Sequence, residues 1–459
     1  MVGGKDALIH SYTLNGFHVL IDVNSGSVFQ VDELISQIAH LYETHSPDQI
    51  VNQLKEKYDP KEIEEGIQEI EFLIDQGILY SKDIEFDKSM DHDGVKAMCL
   101  HVSHDCNLRC EYCFAAQGNF EGETLLMDLE TGKKALDFLV AHSKERYNLE
   151  VDFFGGEPLM NFDVVKELVE YARGLEKQWN KNFRFTMTTN GVLLDEEKMW
   201  YLDQHMDNVV MSLDGRKDVN DKMRKTVSGE GSYSHIVEKI KRMAAMRGSK
   251  DHYVRGTFTS ENIDFSKDVL SLKEEGFTQV SVEPVVTDEN EPYAIRMEHV
   301  DAIKKEYEIL AEKYIESKQK KDDFHFFHFN VDLHSGPCAY KRVSGCGAGS
   351  DYIAVTPKGE LYPCHQFVGE EAFKLGSIYE GFNNKKCKSE FQKANLVNNK
   401  ECKDCWAKYY CGGGCFANAY YANQSIHKPY EVGCELEKKR IECAIMIKIA
   451  LENGQELEN

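Results

Sequence analysis

The first eighty residues pass from a strand pattern to a helix pattern. The segment YTLNGFHVLIDVNSGSVFQVD alternates apolar and polar side chains around the turn sequence Asn24-Ser25-Gly26, which predicts a β-hairpin. Apolar residues then recur at helical spacing, with Ser46 as an N-cap and Gly77 as a stop, and they predict helices over 33–43, 47–57 and 61–76. This order predicts a winged-helix-like unit over residues 1–80, followed by a polar, acidic linker over 81–95.

From residue 97 the pattern becomes a regular alternation of strand and helix. Helical segments such as GKKALDFLVAHS separate six apolar, β-rich runs, which span 97–102, 150–154, 183–188, 208–213, 253–257 and 279–282. Strands joined by helical crossovers form right-handed parallel units. The chain is therefore expected to have an α/β fold over 96–320, built as an open sheet or an incomplete TIM-like barrel.

Polar motifs follow four of these predicted strands in succession. They are CNLRCEYCF (106–114), GGEP (155–158), TTNG (188–191) and SLDG (212–215). Parallel α/β folds build their sites at the carboxyl ends of their strands. Four motifs at one rim predict a single active site.

Composition and charge narrow the possible chemistry. No apolar run approaches the roughly 18 residues of a membrane span, and the N-terminus lacks a signal-peptide pattern, so we expect a cytoplasmic protein without a membrane partner. Thiols stay reduced in that compartment, which makes metal binding the leading explanation for fourteen cysteines. A net charge of −24 argues against a nucleic-acid partner.

The triplet Cys106, Cys110 and Cys113 supplies three soft thiolates, which suit zinc or an iron–sulfur cluster. Structural zinc usually takes four ligands in two pairs, and no second pair lies nearby in sequence. Three thiolates on a four-iron cluster leave one iron open to bind a small molecule. Zinc, and buried cysteines that only fill space, remain as alternatives.

The spacing Cys106-x3-Cys110-x2-Cys113, with Tyr112 before the last cysteine, resembles the cluster motif of the radical S-adenosylmethionine (SAM) enzymes. In that family the open iron binds SAM, which is cleaved to a 5′-deoxyadenosyl radical. The resemblance implies that SAM is also contacted by residues of the later motifs: Gly155, Gly156, Glu157, Thr189, Asn190, Ser212 and Arg224. A plain turn or surface position is the alternative for each.

The C-terminal third, 321–459, carries a second set of seven spaced cysteines and resembles a SPASM domain with two auxiliary four-iron clusters. The resemblance implies three [4Fe-4S] clusters in all. It assigns Cys402, Cys405, Cys411 and Cys434 to an outer cluster. It assigns Cys346, Cys364 and Cys415 to an inner cluster, with Cys338 as a candidate fourth ligand. Cys99, Cys387 and Cys443 match no motif. Zinc ribbons and disulfides are the alternatives.

A winged-helix shape often binds DNA, but residues 1–80 contain 14 acidic residues against four lysines and no arginine. Such a surface repels phosphate. The whole architecture resembles peptide maturases, in which this unit holds a leader peptide as an added strand. A merely structural N-terminal cap is the alternative. The implied partners are a cysteine-rich precursor peptide and an electron donor such as ferredoxin or flavodoxin.

The most similar group that we can name is the maturases of SCIFF peptides, which form thioether bonds from cysteine sulfur to a carbon of the same peptide. The alternative is an anaerobic sulfatase-maturing enzyme, which oxidises Ser or Cys to formylglycine. That group carries an Asp base directly after the cysteine matching Cys364, where this chain has His365. A non-catalytic iron–sulfur scaffold is a third hypothesis, although it leaves GGEP, Ser212 and Arg224 unexplained.

Overall fold

The computed structural model describes residues 8–83, 94–322, 324–331, 333, 343 and 345–456, with side chains to residue 452. Its N-terminal unit starts with a three-stranded antiparallel sheet in the order β1-β2-β3. The strands are β1 Ile9–Leu14, β2 Phe17–Asp22 and β3 Ser27–Val31. The predicted hairpin is β2-β3. The β1-β2 hairpin was not predicted, and it forms because Asn15 (φ 49°) and Gly16 (φ 83°) both take the positive φ of a two-residue turn.

Three helices complete this unit, as the sequence predicts. They are α1 Glu33–Tyr42, α2 Pro47–Leu54 and α3 Pro60–Asp75. The Asp32 side chain caps α1 by accepting a 2.8 Å hydrogen bond from the backbone of Ile35, and Ser46 is the N-cap of α2. Isoleucines from all three helices pack into one core beneath the sheet.

The central unit is a partial barrel of six parallel strands arranged in chain order, which confirms the predicted fold class. The strands are β4 Ala97–His104, β7 Asn148–Gly155, β8 Asn182–Thr189, β9 Asn208–Ser212, β11 His252–Phe258 and β12 Gln279–Pro284. Two short strands join this sheet: β6 Leu125–Leu126 pairs with β4, and β13 His325–Phe326 pairs with β12. Two others, β5 Leu108–Cys110 and β10 Arg224–Thr226, pair with each other.

Helices cover the outer face of the barrel and bury a continuous apolar core against it. They are α4 Leu129–His142, α5 Phe162–Trp179, α6 Glu196–His205, α7 Lys217–Met223, α8 Tyr233–Arg247, α9 Phe265–Glu274 and α10 Met297–Gln319. Because each crossover returns the chain to the same end of the sheet, the four polar motifs emerge side by side.

The C-terminal part extends the barrel sheet and then turns helical. Strand β14 Tyr352–Val355 pairs parallel with β4 and is followed by β15 Glu360–Tyr362, β16 Gly376–Ser377 and β17 Gly381–Phe382. The helices are α11 Lys385–Lys393, α12 Lys400–Lys403, α13 Lys408–Cys411, α14 Phe416–Asn423 and α15 Glu431–Glu456.

The last helix, α15, joins the three units. It packs along α10 of the barrel and against β1 of the N-terminal sheet. Tyr12 donates a 2.9 Å hydrogen bond to the backbone oxygen of Glu442, and His10 lies 3.0 Å from the Glu442 carboxylate. In the part of the chain that the structure describes, every helix is too short or too polar to cross a bilayer.

Candidate active site

One open cavity inside the barrel is surrounded by the four motifs. All eleven residues that the sequence indicates for the first cluster and for SAM line it: Cys106, Cys110, Tyr112, Cys113, Gly155, Gly156, Glu157, Thr189, Asn190, Ser212 and Arg224. Parallel pairing of β4, β7, β8 and β9 brings their carboxyl ends together, so residues more than a hundred positions apart share one space.

The cysteine triplet lies on the loop that leaves β4. Cys110 belongs to β5, which pairs antiparallel with β10 and thereby places Cys110 opposite Arg224. Burial raises the pKa of the Cys106 thiol to about 12, with Glu157 adding to the effect, and raises that of Cys110 to about 11. Burial makes it costly to ionise these thiols, and binding of the thiolates to an iron–sulfur cluster would offset that cost. Three thiols facing one cavity therefore fit the ligand set of such a cluster.

The two glycines of GGEP are required by backbone packing. A Cβ atom on Gly155 would lie 2.0 Å from the Ser103 oxygen, and one on Gly156 would lie 2.2 Å from the Asp105 oxygen. The Gly156 amide donates a 2.8 Å bond to Ser103. The sequence suggested that glycine lets the backbone approach a ligand. The structure adds that it lets GGEP pack against the start of the cysteine loop.

Glu157 is a buried carboxylate held by three donors. Its Oε1 accepts hydrogen bonds from Thr189 Oγ1 (2.8 Å) and the Leu159 amide (3.1 Å), and its Oε2 accepts one from the Asn190 amide (2.8 Å). Burial raises its pKa to about 7, and these bonds act in the opposite direction. The donors therefore orient a carboxylate that is suited to receive an ammonium group from the cavity.

A second buried network joins Tyr112, Asp214 and Arg224. The Tyr112 hydroxyl donates a 2.6 Å hydrogen bond to Asp214 Oδ2 and accepts one of 3.0 Å from Arg224 Nη1. Arg224 Nε is buried and has no hydrogen-bond partner among the described residues. A buried guanidinium with a spare donor fits the carboxylate of a bound small molecule. Asp214, the acid of SLDG, was not predicted as a site residue.

Three further polar residues of the cavity were also missed. Arg255 and Thr257 lie on β11, and Glu283 lies on β12. Arg255 is opposite Ser212 in the parallel pairing of β11 with β9. The sequence signal that could have revealed Arg255 and Glu283 was a charged residue within an apolar strand, in YVRGTF and VSVEPV. Each lies towards the end of its strand where the other motifs lie.

His365, which the sequence offered as a possible base or a surface residue, lines the same cavity. Its ring lies 5.5 Å from that of Phe114 and 5.1 Å from that of Phe154, and Nδ1 is 3.2 Å from the Tyr352 hydroxyl. Burial lowers its pKa to about 4, so the imidazole is neutral at pH 7. The solvated-surface interpretation is therefore wrong.

The C-terminal cysteines form two separate groups. One cavity is lined by Cys402, Cys405, Cys411 and Cys434. Burial raises the pKa of Cys434 to about 12, and the other three thiols of this group add to the shift. In the second group, burial raises the pKa of Cys364, and the thiols of Cys415 and Cys346 raise it further. This grouping is the one that the resemblance implies.

Cys338 lies outside the described residues. The other thirteen cysteines are free, and Cys99, Cys387 and Cys443 are buried. Among described residues, no three His, Cys, Asp or Glu side chains lie close enough to hold a single metal ion. Ligands of a four-iron cluster bind different irons and are spaced more widely.

Two family profiles match the chain in the regions of these cysteines. A 4Fe-4S single cluster domain matches residues 91–238, and the SPASM iron–sulfur cluster-binding domain matches residues 346–406. The cysteine-type anaerobic sulfatase-maturating enzyme of Clostridium novyi (strain NT) is 29% identical over 69% of this chain and 86% of its own length. The radical SAM cyclopropyl synthase TigE of Paramaledivibacter caminithermalis is 20% identical over 95% of both chains.

Solved structures share the fold. The enzyme anSMEcpe with bound AdoMet covers 77% of this chain and 99% of its own, with a TM-score of 0.63 and 21% identity. Streptococcus suis SuiB bound to S-adenosylmethionine covers 94% of this chain and 100% of its own, with a TM-score of 0.52 and 15% identity. The chain therefore belongs to the radical SAM enzymes that carry a SPASM domain.

Proposed function

We propose that the protein forms intramolecular cysteine thioether crosslinks in a ribosomally made, leader-bearing, cysteine-rich peptide. The observation that carries the proposal is an N-terminal unit with an open sheet edge, attached to a radical SAM core and a SPASM tail. The full-length relative TigE matches 95% of the chain, so the match extends into this unit. SuiB, of similar fold, is described in complex with a precursor peptide, SuiA. We assign residues 1–80, 96–320 and 321–459 to these three parts.

The first cluster and SAM would be held by the residues around the barrel cavity. Cys106, Cys110 and Cys113 would ligate the cluster, which with SAM bound supplies the 5′-deoxyadenosyl radical. Glu157 would bind the amino group of SAM, and Arg224 its carboxylate. Thr189 and the Asn190 amide hold Glu157 in place through the bonds given above. Gly155, Gly156, Ser212 and Tyr112 would complete the contacts.

The SPASM tail would hold two further clusters, for a total of three. Cys402, Cys405, Cys411 and Cys434 supply four thiols for the outer one. Cys346, Cys364 and Cys415 supply three for the inner one, with Cys338 as the candidate fourth. Forming a thioether removes one hydrogen atom from carbon, and one proton and one electron from the thiol. Because Cys364 directly precedes His365, which lines the cavity, the inner group would lie close to the place where that electron is released.

The leader peptide would add to the sheet at β3. Helix α15 packs against one face of the N-terminal sheet, where His10 and Tyr12 contact Glu442 and where Val19 and Ile21 share an apolar cluster with Ile445. Strand β3 pairs only with β2 in the described structure, and its residues are half-buried apart from the exposed Gln30. An open edge of this kind binds an extended peptide through backbone hydrogen bonds. Docking also raises the concentration of the tethered core peptide at the cavity.

Mass spectrometry of the peptide product tests the proposal. The anaerobically reconstituted protein is incubated with SAM, dithionite and a leader-bearing, cysteine-rich peptide. We expect loss of two hydrogens, loss of one alkylatable thiol, and a crosslink in the fragment spectrum. A peptide that keeps all its thiols would contradict thioether formation.

Sulfatase maturation is the second candidate, because the Clostridium novyi relative of that name is 29% identical. Oxidation of a serine to formylglycine also removes two hydrogens but consumes no thiol, so alkylation separates it from thioether formation. Oxidation of a cysteine to formylglycine consumes a thiol but also removes its sulfur atom and leaves no crosslink, so the peptide mass and the fragment spectrum separate that reaction. His365 in place of the acidic base argues against this candidate. A scaffold without catalysis would release no 5′-deoxyadenosine.

A further inference from the structure

One short segment of the C-terminal part carries a net positive charge, opposite in sign to the net charge of the whole protein. The chain carries a net charge of −24, yet residues 385–403 contain six lysines against two glutamates. This segment includes α11 and α12, which are joined by a loop of six residues. A basic surface on a strongly acidic protein attracts an acidic partner to that one face, while the rest of the molecule repels it.

Five of the six lysines of this segment face solvent, and the sixth, Lys388, is half-buried over the Phe382 ring. We define the basic face as Lys385, Lys386, Lys393, Lys400 and Lys403 of α11 and α12, together with Lys428, and all six are exposed. Lys393 pairs with Glu390, at 3.2 Å. The other five form no ion pair with any residue in the described ranges. Their charges are therefore available to a partner.

Three lysines of the basic face, Lys393, Lys400 and Lys403, lie beside a ligand of the proposed outer cluster. Cys402 lies within α12, between Lys400 and Lys403. Cys402, Lys393 and His427 line one surface cavity, and Asn399 Nδ2 donates a 2.8 Å bond to the His427 oxygen, which ties the loop of Lys428 to α12. Two exposed acids, Glu401 and Asp404, flank Cys402. The lysines outnumber them.

We propose that the basic face docks an acidic, low-potential electron-carrier protein of the flavodoxin or ferredoxin class. This inference rests on the proposed function, because it assigns the outer cysteine group as the entry point for electrons. The reduced carrier would lose one electron and the outer cluster would gain it, with no bond formed and no proton transferred. Opposite charges on the two proteins accelerate encounter and make it sensitive to salt.

Binding of purified flavodoxin to the anaerobic holoprotein tests the inference. The dissociation constant is measured by titration calorimetry at low and high salt with two charge-reversal variants, Lys385→Glu/Lys386→Glu and Lys400→Glu/Lys403→Glu. The matched control is Lys320→Glu/Lys321→Glu. Lys320 and Lys321 follow α10, whose first residue, Met297, lines the outer cavity. Because α10 has 23 residues, they lie about 34 Å away along its axis.

We expect each variant of the basic face to weaken flavodoxin binding by about tenfold or more, the control by less than about twofold, and added salt to weaken binding to the unmodified protein. Equal weakening by the control, or no binding at low salt, would overturn the inference. Equally tight binding of duplex DNA would reassign the face to nucleic acid.

Two checks separate weaker carrier binding from the loss of a cluster and from a failure of the proposed function. Iron content and the electron paramagnetic resonance spectrum show whether Lys400→Glu/Lys403→Glu retains its clusters. If it does not, Lys385→Glu/Lys386→Glu, which lies between Cys364 and Cys402 and is at least 16 residues in sequence from any cysteine assigned to a cluster, decides the matter. Crosslinking of the peptide with dithionite as reductant tests the proposed function without any carrier, so the two proposals fail independently.

Discussion

The backbone amide of Asn190 donates a 2.8 Å hydrogen bond to Oε2 of Glu157, and this bond joins the TTNG and GGEP motifs across 33 residues of sequence. The Thr189 hydroxyl bonds the other oxygen of the same carboxylate. A single acid therefore aligns two neighbouring strand ends around the cavity, and its loss should affect both the packing and the binding of a cofactor.

Glu157→Gln places an amide NH2 where the carboxylate now accepts bonds on both oxygens. At least one buried donor then loses its acceptor, which costs about 1–3 kcal/mol. We expect a lower free energy of unfolding and at least about tenfold weaker SAM binding by calorimetry. Glu167→Gln, on the exposed face of α5, is the matched control. Unchanged SAM affinity in Glu157→Gln would contradict the assigned role.

Tyr112→Phe removes the hydroxyl that links Asp214 to Arg224. Both charged groups are buried, so we expect a loss of about 1–3 kcal/mol in denaturant unfolding and weaker SAM binding. Tyr253→Phe is the control, because the Tyr253 hydroxyl has no hydrogen-bond partner among the described residues. Equal effects of the two substitutions would show that the Tyr112 network has no special role.

Iron analysis tests the three cysteine groups. Replacing Cys106, Cys110 and Cys113 together by Ala should lower the iron content of the reconstituted protein by about four atoms and abolish 5′-deoxyadenosine production. Cys434→Ala should change the spectrum of the outer cluster and leave SAM binding intact. Cys387→Ala, at a buried cysteine outside the groups, should retain all iron. Retention of iron by the triple variant would remove the basis of the first site.

Asp152→Asn should show a pH-dependent gain in stability. Burial raises the pKa of Asp152 from 3.8 to about 6, with Glu150 adding to the shift. The folded protein thus binds this proton more tightly, so the stability contribution of Asp152 falls as pH rises from about 4 to about 6. We expect Asn to stabilise the protein by about 1–3 kcal/mol at pH 7.5 and by much less at pH 4.5. A gain independent of pH would refute this electrostatic explanation.

Hydrogen exchange tests the docking edge. Adding the leader segment of the precursor peptide should slow exchange of backbone amides in β3, because edge amides become paired. Strand β2 serves as an internal control, since it already pairs with β1 on one side and with β3 on the other. Protection confined to β1, or none in the N-terminal sheet, would contradict leader binding at β3.

Much of the fold was accessible from the sequence alone. The βα alternation predicted the six parallel strands within a few residues, because buried parallel strands are apolar throughout and their crossover helices are amphipathic. The β1-β2 hairpin was missed because the two-residue turn Asn15-Gly16 was its only local signal. The same alternation predicted that four motifs would share a rim, and it therefore predicted the composition of the cavity wall.

Other features depended on the tertiary structure. Arg255 and Glu283 are ordinary charged residues by any local pattern, and only the parallel pairing of β9, β11 and β12 brings them to the cavity. Asp214 is connected to the cavity through its hydrogen bond with Tyr112. The position of His365 beside Phe114 and Phe154, and the packing of α15 on the N-terminal sheet, follow from contacts across hundreds of residues. Sequence periodicity determined which elements form, because it reflects local burial. Partners, exposed edges and shifted pKa values depend on which distant elements pack together.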